Sequence, residues 1–474
     1  MLYFREDVSR KMSLQEIYRQ CDTYVMCSTL NQLVNYLPYK AICKARNEKE
    51  GNSSKQVQII NITYEENKNA IHEKSVVGIK KQFNNEEWDE NFNSVLENEL
   101  GRRVITDKNT VHVNREGVIE LNYTETSRLL GEKVIWNLTG GQRNVIFAIE
   151  RFIEQDKGKR KHVVIYLEGN TQKILYGQYE EGKWKYEEDG CYEYEELDLE
   201  KVFNLSGYTC KRKEEDDKSN SMKSIYFNNN KDKVNDKGFE EILLEYLKFY
   251  HDYYAKDDEL RKQLIATNRK NENVKDKKNE KDKKDNPKIT AIGDILDKRK
   301  VDKEKILELI NKNTDYPFGY MLEYMTVAVI KDIVDKDPSF SSKFISLSHN
   351  VRVYSNKHQE GQFCELDAVL LSKSGQLIVF ECKSGSMESE VAKAREYTAY
   401  VLGGVYGKPV LVTPLTSEEI KKLVGKLGKK EEKEDDEYKY ILQAIRAAGR
   451  SGLDVCCINT MEQDIKDKFE YVLG

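Results

Sequence analysis

Residues 364–384 read CELDAVLLSKSGQLIVFECKS, two mainly apolar runs on either side of the polar tetrapeptide SKSG. A turn at 372–375 with glycine last closes a β-hairpin, and side chains alternate between the faces of each strand. Ile378, Phe380 and Cys382 then take one face, toward a core, while Val379, Glu381 and Lys383 take the other. If Leu371 pairs with Gln376, Asp367 falls opposite Phe380 and next to Glu381. The hairpin thus gathers two carboxylates and an ammonium at one end of a sheet.

Phosphodiester hydrolysis can use such a group. Two carboxylates suit Mg2+ or Mn2+, hard ions that prefer oxygen. A bound ion acidifies water and offsets charge that builds on phosphorus, and a lysine can orient that water. A third acid, Glu323, lies in the otherwise apolar helix GYMLEYMTVAVI, where a carboxylate is costly unless paired or metal-bound. Asp367, Glu381 and Glu323 are the candidate metal-holding acids, with Cys382 between Glu381 and Lys383 counted among the metal positions. Glu365 is an alternate acid, expected on the opposite face from Asp367. The competing reading is a surface hairpin with one cross-strand salt bridge. An isolated ExK says little, but a turn, an apolar strand ending in ExK and a preceding helix glutamate together favour a nuclease.

The chain around this hairpin has 474 residues, enough for two or three domains with their own cores. Charged residues make up 34% and hydrophobic ones 39%, which implies a soluble protein, and the net charge of −5 neither requires nor excludes nucleic acid as a partner. No apolar stretch is long enough to span a bilayer, and the charged N-terminus lacks a signal core. Nine cysteines without a CxxC pair read as reduced thiols, so a cytoplasmic location is expected.

The first region alternates strands and helices. TYVMCST (23–29), QVQIINITY (56–64), KVIWNLTGG (133–141) and HVVIYLEG (162–169) read as strands. NQLVNYLPYKAICKAR, NEEWDENFNSVLENEL (85–100) and QRNVIFAIERFIEQ (142–155) read as helices. This rhythm predicts a mainly parallel sheet with helices on both faces. NLTGGQR (137–143) joins a strand to a helix, where paired glycines permit close backbone approach and free N–H groups can meet phosphate. Asn137, Thr139, Gly140, Gly141, Gln142 and Arg143 are the candidate ligand residues there, with Ser28 and Thr29 at the same carboxyl edge. By itself the turn is equally a tight βα connection, and no GK[ST] follows to make it a Walker loop.

ILYGQYE, GKWKYEE and CYEYEEL, within 171–210, suggest short antiparallel strands. KRKEEDDKSNSMKS (211–224) reads as polar linker, residues 239–266 as one amphipathic helix, and residues 269–288 as a charged flexible segment. The expected division is 1–210, a linker at 211–298 and a second domain at 299–474. His112, His162, His251, His349 and His358 lack paired spacing and are expected in the core or at the surface. Lys393, Arg395 and Tyr397 follow the hairpin, either facing substrate phosphates or forming a solvated helix face.

The helix glutamate, LD and ECK resemble the PD-(D/E)xK, restriction-endonuclease-like superfamily, over roughly 300–474. The motif's leading proline is absent, with Leu366 before Asp367. The resemblance implies catalytic roles for Asp367, Glu381 and Lys383, supported by Glu323. Joined to an α/β domain with N-x-TGG after a strand, the whole resembles the CARF-domain nucleases of type III CRISPR systems. That resemblance implies a CARF, Rossmann-like domain before the nuclease domain. It also implies a homodimer activated by cyclic oligoadenylate, usually cyclic tetra-adenylate, that cleaves single-stranded DNA or RNA or nicks duplex DNA. Arg143 stands where the family often has lysine, and Gln142 where it has threonine. Two other readings stay open: a constitutive restriction-type nuclease with an unrelated N-terminal domain, and a nucleotide-binding sensor with an inactive nuclease fold.

Overall fold

The computed structural model describes residues 12–46, 57–64, 85–113, 120–141, 143–156, 158–168, 173–180, 183–190, 192–194, 196–210, 222–227, 235–267, 286–308, 310, 314, 316–356, 362–385, 387, 389–403, 407–426 and 436–473. The chain forms two compact units, Met1–Glu196 with Asn204–Gly207, and Leu197–Phe203 with Tyr208–Gly474.

The first unit is built on seven strands: β1 (Thr23–Cys27), β2 (Gln58–Tyr64), β3 (Thr110–Val113), β4 (Lys133–Asn137), β5 (Lys161–Leu167), β6 (Ile174–Glu180) and β7 (Lys183–Asp189). Their order is β3-β2-β1-β4-β5-β6-β7. β1 to β5 run parallel, and β6 and β7 add an antiparallel edge. All five residues of β1 are buried, as expected for a strand covered on both faces. The helix Arg143–Gln155 lays Val145, Ala148, Ile149, Phe152 and Ile153 over Trp136 and Val164. This is a Rossmann-like sheet whose strand order reverses between β1 and β4, the place where open α/β sheets form their ligand crevice. CYEYEEL does not continue the antiparallel edge, since residues 192–194 carry no strand.

The second unit has its own mixed sheet, of β8 (Tyr208–Thr209), β9 (Lys223–Tyr226), β10 (Phe344–Ser355), β11 (Gln362–Ser372), β12 (Leu377–Cys382), β13 (Gly407–Thr413) and β14 (Asp454–Cys457). The path runs β14-β13-β12-β11-β10-β8, and β9 also pairs with β10. β10, β11 and β12 are antiparallel, while β13 and β14 continue parallel to β12. The helix Pro317–Lys336 buries Met321, Leu322, Met325 and Val329 against this sheet's core residues Leu370, Ile378 and Phe380.

Two expectations about the middle of the chain are corrected. The division at 211–298 does not hold, because β8, β9 and the residues Phe239, Leu260, Ile292 and Leu296 belong to the core and sheet of the second unit. The apolar stripe of that segment has a face to bury, so it is part of a domain. The single helix over 239–266 is two, Lys237–Phe249 and Asp258–Ala266, separated by a π-helical turn at Tyr250–Tyr254. Asp257 starts the second by accepting from Leu260 N–H at 2.9 Å. Residues 211–221 and 269–285 of the expected linkers lie outside the described residues.

Candidate functional site

The hairpin forms, but its register differs by one residue from expectation. Leu371 pairs with Leu377 and Ala368 with Phe380, which brings Asp367 level with Glu381. The turn sets this: Ser372 N–H donates to Gln376 O at 3.0 Å, and Gly375 takes the left-handed φ of 80°. Residues directly opposite in an antiparallel pair share a face. Asp367 and Glu381 therefore point the same way, which the expected register would not have allowed. Asp367 Oδ2 accepts from Cys382 N–H at 2.7 Å.

Glu381 is 1% exposed. Lys383 Nζ lies 2.6 Å from its Oε1, and Arg395 Nε, from the helix Ser389–Gly403, lies 2.8 Å from its Oε2. These are ion pairs by distance, but off the line of a hydrogen bond, so both carboxylate oxygens lack a hydrogen-bonding donor. Burial pushes the Asp367 carboxyl well above the usual range, and Glu381 and Glu323 add to the effect. Burial opposes the charge on Lys383, yet Asp367 and Glu381 outweigh it and hold the ammonium above its ordinary value.

Glu323 is brought to the same place. Burial pushes its carboxyl up to about 8, with Glu365 and Glu381 adding and Lys383 opposing. Its Oε2 lies 3.2 Å from His349 Nε2. His349, on β10, is 3% exposed and lies against Tyr324 with ring centroids 4.6 Å apart. Burial pushes the imidazole down to about 4. Glu365 stands two residues before Asp367 on β11 and so shares its face, and its charge adds to the effects on Glu323 and His349. The expectation that it points away from Asp367 is wrong, since residues two apart on a strand share a face.

Cys382 needs a second correction. Its thiol lies on the core face, 3.5 Å from Thr326 Oγ1, and burial holds it well above its ordinary pKa. The thiol therefore points away from the face that Asp367 and Glu381 share, against the expectation that counted it among the metal positions. Among the described residues no group of three or more His, Cys, Asp or Glu side chains is arranged to hold a metal. Two carboxylates, Asp367 and Glu381, do share one face, with two oxygens of Glu381 unsatisfied by hydrogen bonds. That donor set fits Mg2+ or Mn2+, which take one or two protein carboxylates and complete their shell with water and phosphate oxygens.

In the first unit, Ser28 and Thr29 follow β1, and LTGG follows Asn137 at the end of the adjacent β4, so both loops meet at the switch point. A Cβ at Gly140 would come 3.0 Å from Thr29 Cγ2, so a side chain there would press on the neighbouring loop. Thr139 Oγ1 accepts from Leu167 N–H at 3.0 Å and keeps its own proton to donate. Arg143 is exposed at the start of its helix, and Gln142 lies outside the described residues. Asn137 is turned inward: its Nδ2 donates to Tyr24 OH, Val34 O and Asn35 Oδ1, and its Oδ1 accepts from Thr139 N–H. It shapes the loop from within the fold, where the expectation had its side chain facing a ligand. Ser28 Oγ donates to Asp89 Oδ1 at 2.6 Å.

One residue of these sites, Asp89, was not expected at all, and two more, His349 and Arg395, were named without the partners they meet. Asp89 sits beside Ser28 at the crevice, its carboxyl raised to about 6 by burial. His349 was expected as an ordinary core or surface histidine, and Arg395 was not expected at Glu381. The spacing of charge within one element carries no information about partners on another. His358 lies outside the described residues.

A Rossmann-like unit with a glycine turn at its switch point, followed by a mixed-sheet unit with clustered carboxylates, defines the class of molecule. Neither the known protein families nor the curated proteins give a match to the sequence. Among solved structures, the chain is similar to protein VC1899 from Vibrio cholerae, at 14% identity and a TM-score of 0.54, over 95% of this chain and 98% of that one. It is also similar to Can2 from Sulfobacillus thermosulfidooxidans, solved in complex with cyclic tetra-adenylate, at 14% identity and a TM-score of 0.52, over 96% and 99%. At these identities the likeness is one of fold, and it extends through both units.

Proposed function

We propose that this chain is a CARF-domain nuclease of the PD-(D/E)xK type, a type III CRISPR effector activated by a cyclic oligoadenylate, with cyclic tetra-adenylate as the first candidate. The observation that carries the reading is the gathering of Asp367, Glu381, Lys383 and Glu323 at one end of the second sheet. Likeness to the fold of Can2, solved with cyclic tetra-adenylate, supports the choice of activator. Asp367 and Glu381 would hold Mg2+ or Mn2+, with Glu323 in support. Once bound, the ion would supply an acidified water and charge neutralisation at phosphorus. Lys383 holds a proton donor at the site, and its neighbours keep it charged. In the first unit Thr139, Gly140, Gly141 and Arg143, with Thr29 across the crevice, would receive the ring's phosphates.

The active species is a homodimer of single-strand-cleaving nucleases in the cytoplasm. Exposed aromatic residues support a pairing surface: Phe147, Tyr166 and Tyr186 lie on the side of the first sheet that carries the helix Arg143–Gln155. No helix among the described residues is long and apolar enough to cross a membrane. A catalytically inert sensor is the second reading, and the two cations against Glu381 favour it.

The test mixes purified protein with labelled single-stranded DNA, RNA and supercoiled plasmid. Mn2+, Mg2+ and chelator are compared, each with cyclic tri-, tetra- or hexa-adenylate or none. Ring- and metal-dependent cleavage that Glu381→Ala abolishes is the expected result. Cleavage indifferent to every ring sinks the sensor, and no cleavage under any condition leaves the inert reading.

A further inference from the structure

Arg395 stands outside the hairpin motif, yet it reaches the motif's central acid. Its Nε lies 2.8 Å from Glu381 Oε2, and Lys383 Nζ lies 2.6 Å from Oε1, so each carboxylate oxygen faces a fixed cation. The pair is buried, with side-chain exposures of 19% for Arg395 and 2% for Glu381, so solvent screens it weakly. A divalent cation approaching Glu381 meets like charge on both sides. Both cations also answer to Asp367, but Lys383 directly follows the strand that carries Glu381 and its backbone N–H is tied to Val412 O at 3.0 Å, so it is the less able to yield. Arg395 comes from a separate element on a long side chain, and its Nε has no hydrogen bond holding it in line.

We propose that Arg395 and the divalent ion compete for Glu381, and that the displaced guanidinium then holds the phosphate of the nucleic acid strand. The inference rests on the nuclease reading above. A planar guanidinium suits both partners, since it meets carboxylate and phosphate in the same forked geometry. Arg395 is thus a brake on metal binding in the free protein and a substrate clamp in the loaded one.

The test measures metal binding without cleavage. Mn2+ is titrated by calorimetry into the whole 474-residue chain with no nucleic acid, for the wild type, Arg395→Ala, the neutral but polar Arg395→Gln, and Glu381→Gln. Arg395→Ala and Arg395→Gln are expected to bind Mn2+ at least about tenfold more tightly, because an opposite charge at this range shifts a carboxylate by about one to three log units. Adding Glu381→Gln should erase that gain. At saturating Mn2+ the same Arg395 variants should cleave at least tenfold more slowly, mainly through a raised KM for the oligonucleotide. A merely structural arginine would give weaker or unchanged Mn2+ binding and a lower melting temperature, and that outcome overturns the proposal. If Glu381→Gln leaves Mn2+ affinity untouched in the wild type, the metal site and the nuclease reading fail as well. If it weakens Mn2+ binding while neither Arg395 variant tightens it, only the role of Arg395 fails.

Discussion

Glu323 is a carboxyl within an apolar helix, 3.2 Å from the ring of a buried histidine and close to two further acids. Folding withdraws it from water, and its proton is retained up to about pH 8 instead of the ordinary 4.5. The folded form therefore binds more protons than the unfolded form across that window, and stability falls as pH rises through it. His349 acts in the opposite direction lower down. Its ring stays neutral in the fold to about pH 4 but protonates near 6.5 when unfolded, so its contribution to stability grows from pH 4 to 6.5. Above pH 6.5 only the acids act. In chelator, Glu323→Gln should flatten the loss of stability between pH 6.5 and 8, by at most about 1.4 kcal/mol per pH unit for one proton. Chemical denaturation at several pH values checks this, and equal slopes for variant and wild type would show that Glu323 does not carry the proton.

At the scale of elements, the hairpin shows what periodicity can and cannot reveal. The alternation of VLL and LIVFEC identifies both strands and separates the core face of Ile378 and Phe380 from the polar face of Glu381. Register is another matter, because it depends on which turn hydrogen bond closes the loop. Here Ser372 N–H to Gln376 O adds a residue to the expected turn and moves Asp367 onto the face of Glu381. Gly375 makes that closure possible at its φ of 80°. Gly375→Ala should destabilise the second unit by about 1–2 kcal/mol, the cost of a left-handed L-residue. It should also weaken Mn2+ binding if the strands slip. Urea unfolding reports the first and calorimetry the second, and an unchanged midpoint would show the turn to be indifferent to that glycine. The same limit hid β10, whose residues 344–350 were not expected as strand because their polar residues are satisfied across the sheet, as with Ser348 against Ser224 at 2.8 Å. Four of the five parallel strands of the first unit were legible, since burial on both faces leaves continuous apolar runs, while β3, only four residues long and interrupted by the exposed His112, was not.

For the whole molecule, sequence patterns located two candidate sites but misjudged what lies between. An amphipathic helix such as Lys237–Phe249 declares that it has a core to join but not which core, so Phe239 and Tyr246 read as linker while serving the second unit. Joining a crevice in one unit to a carboxylate cluster in the other has a thermodynamic consequence. If the ring activates by favouring a nuclease arrangement, ring and nucleic acid must each raise the affinity for the other by one common factor. Lys383→Ala with Mn2+ retains Asp367 and Glu381 and should bind a strand without cutting it. In that variant, cyclic tetra-adenylate is expected to tighten binding of a single-stranded oligonucleotide by at least about fivefold, the lower end of ordinary allosteric coupling. The oligonucleotide should tighten ring binding equally. Adding Thr139→Ala and Arg143→Ala should remove the coupling by removing ring binding, while Mn2+ affinity stays unchanged. Strand affinity that is the same with and without ring would mean that the two units bind independently, and any ring-dependent cleavage would then have to act on the chemical step alone.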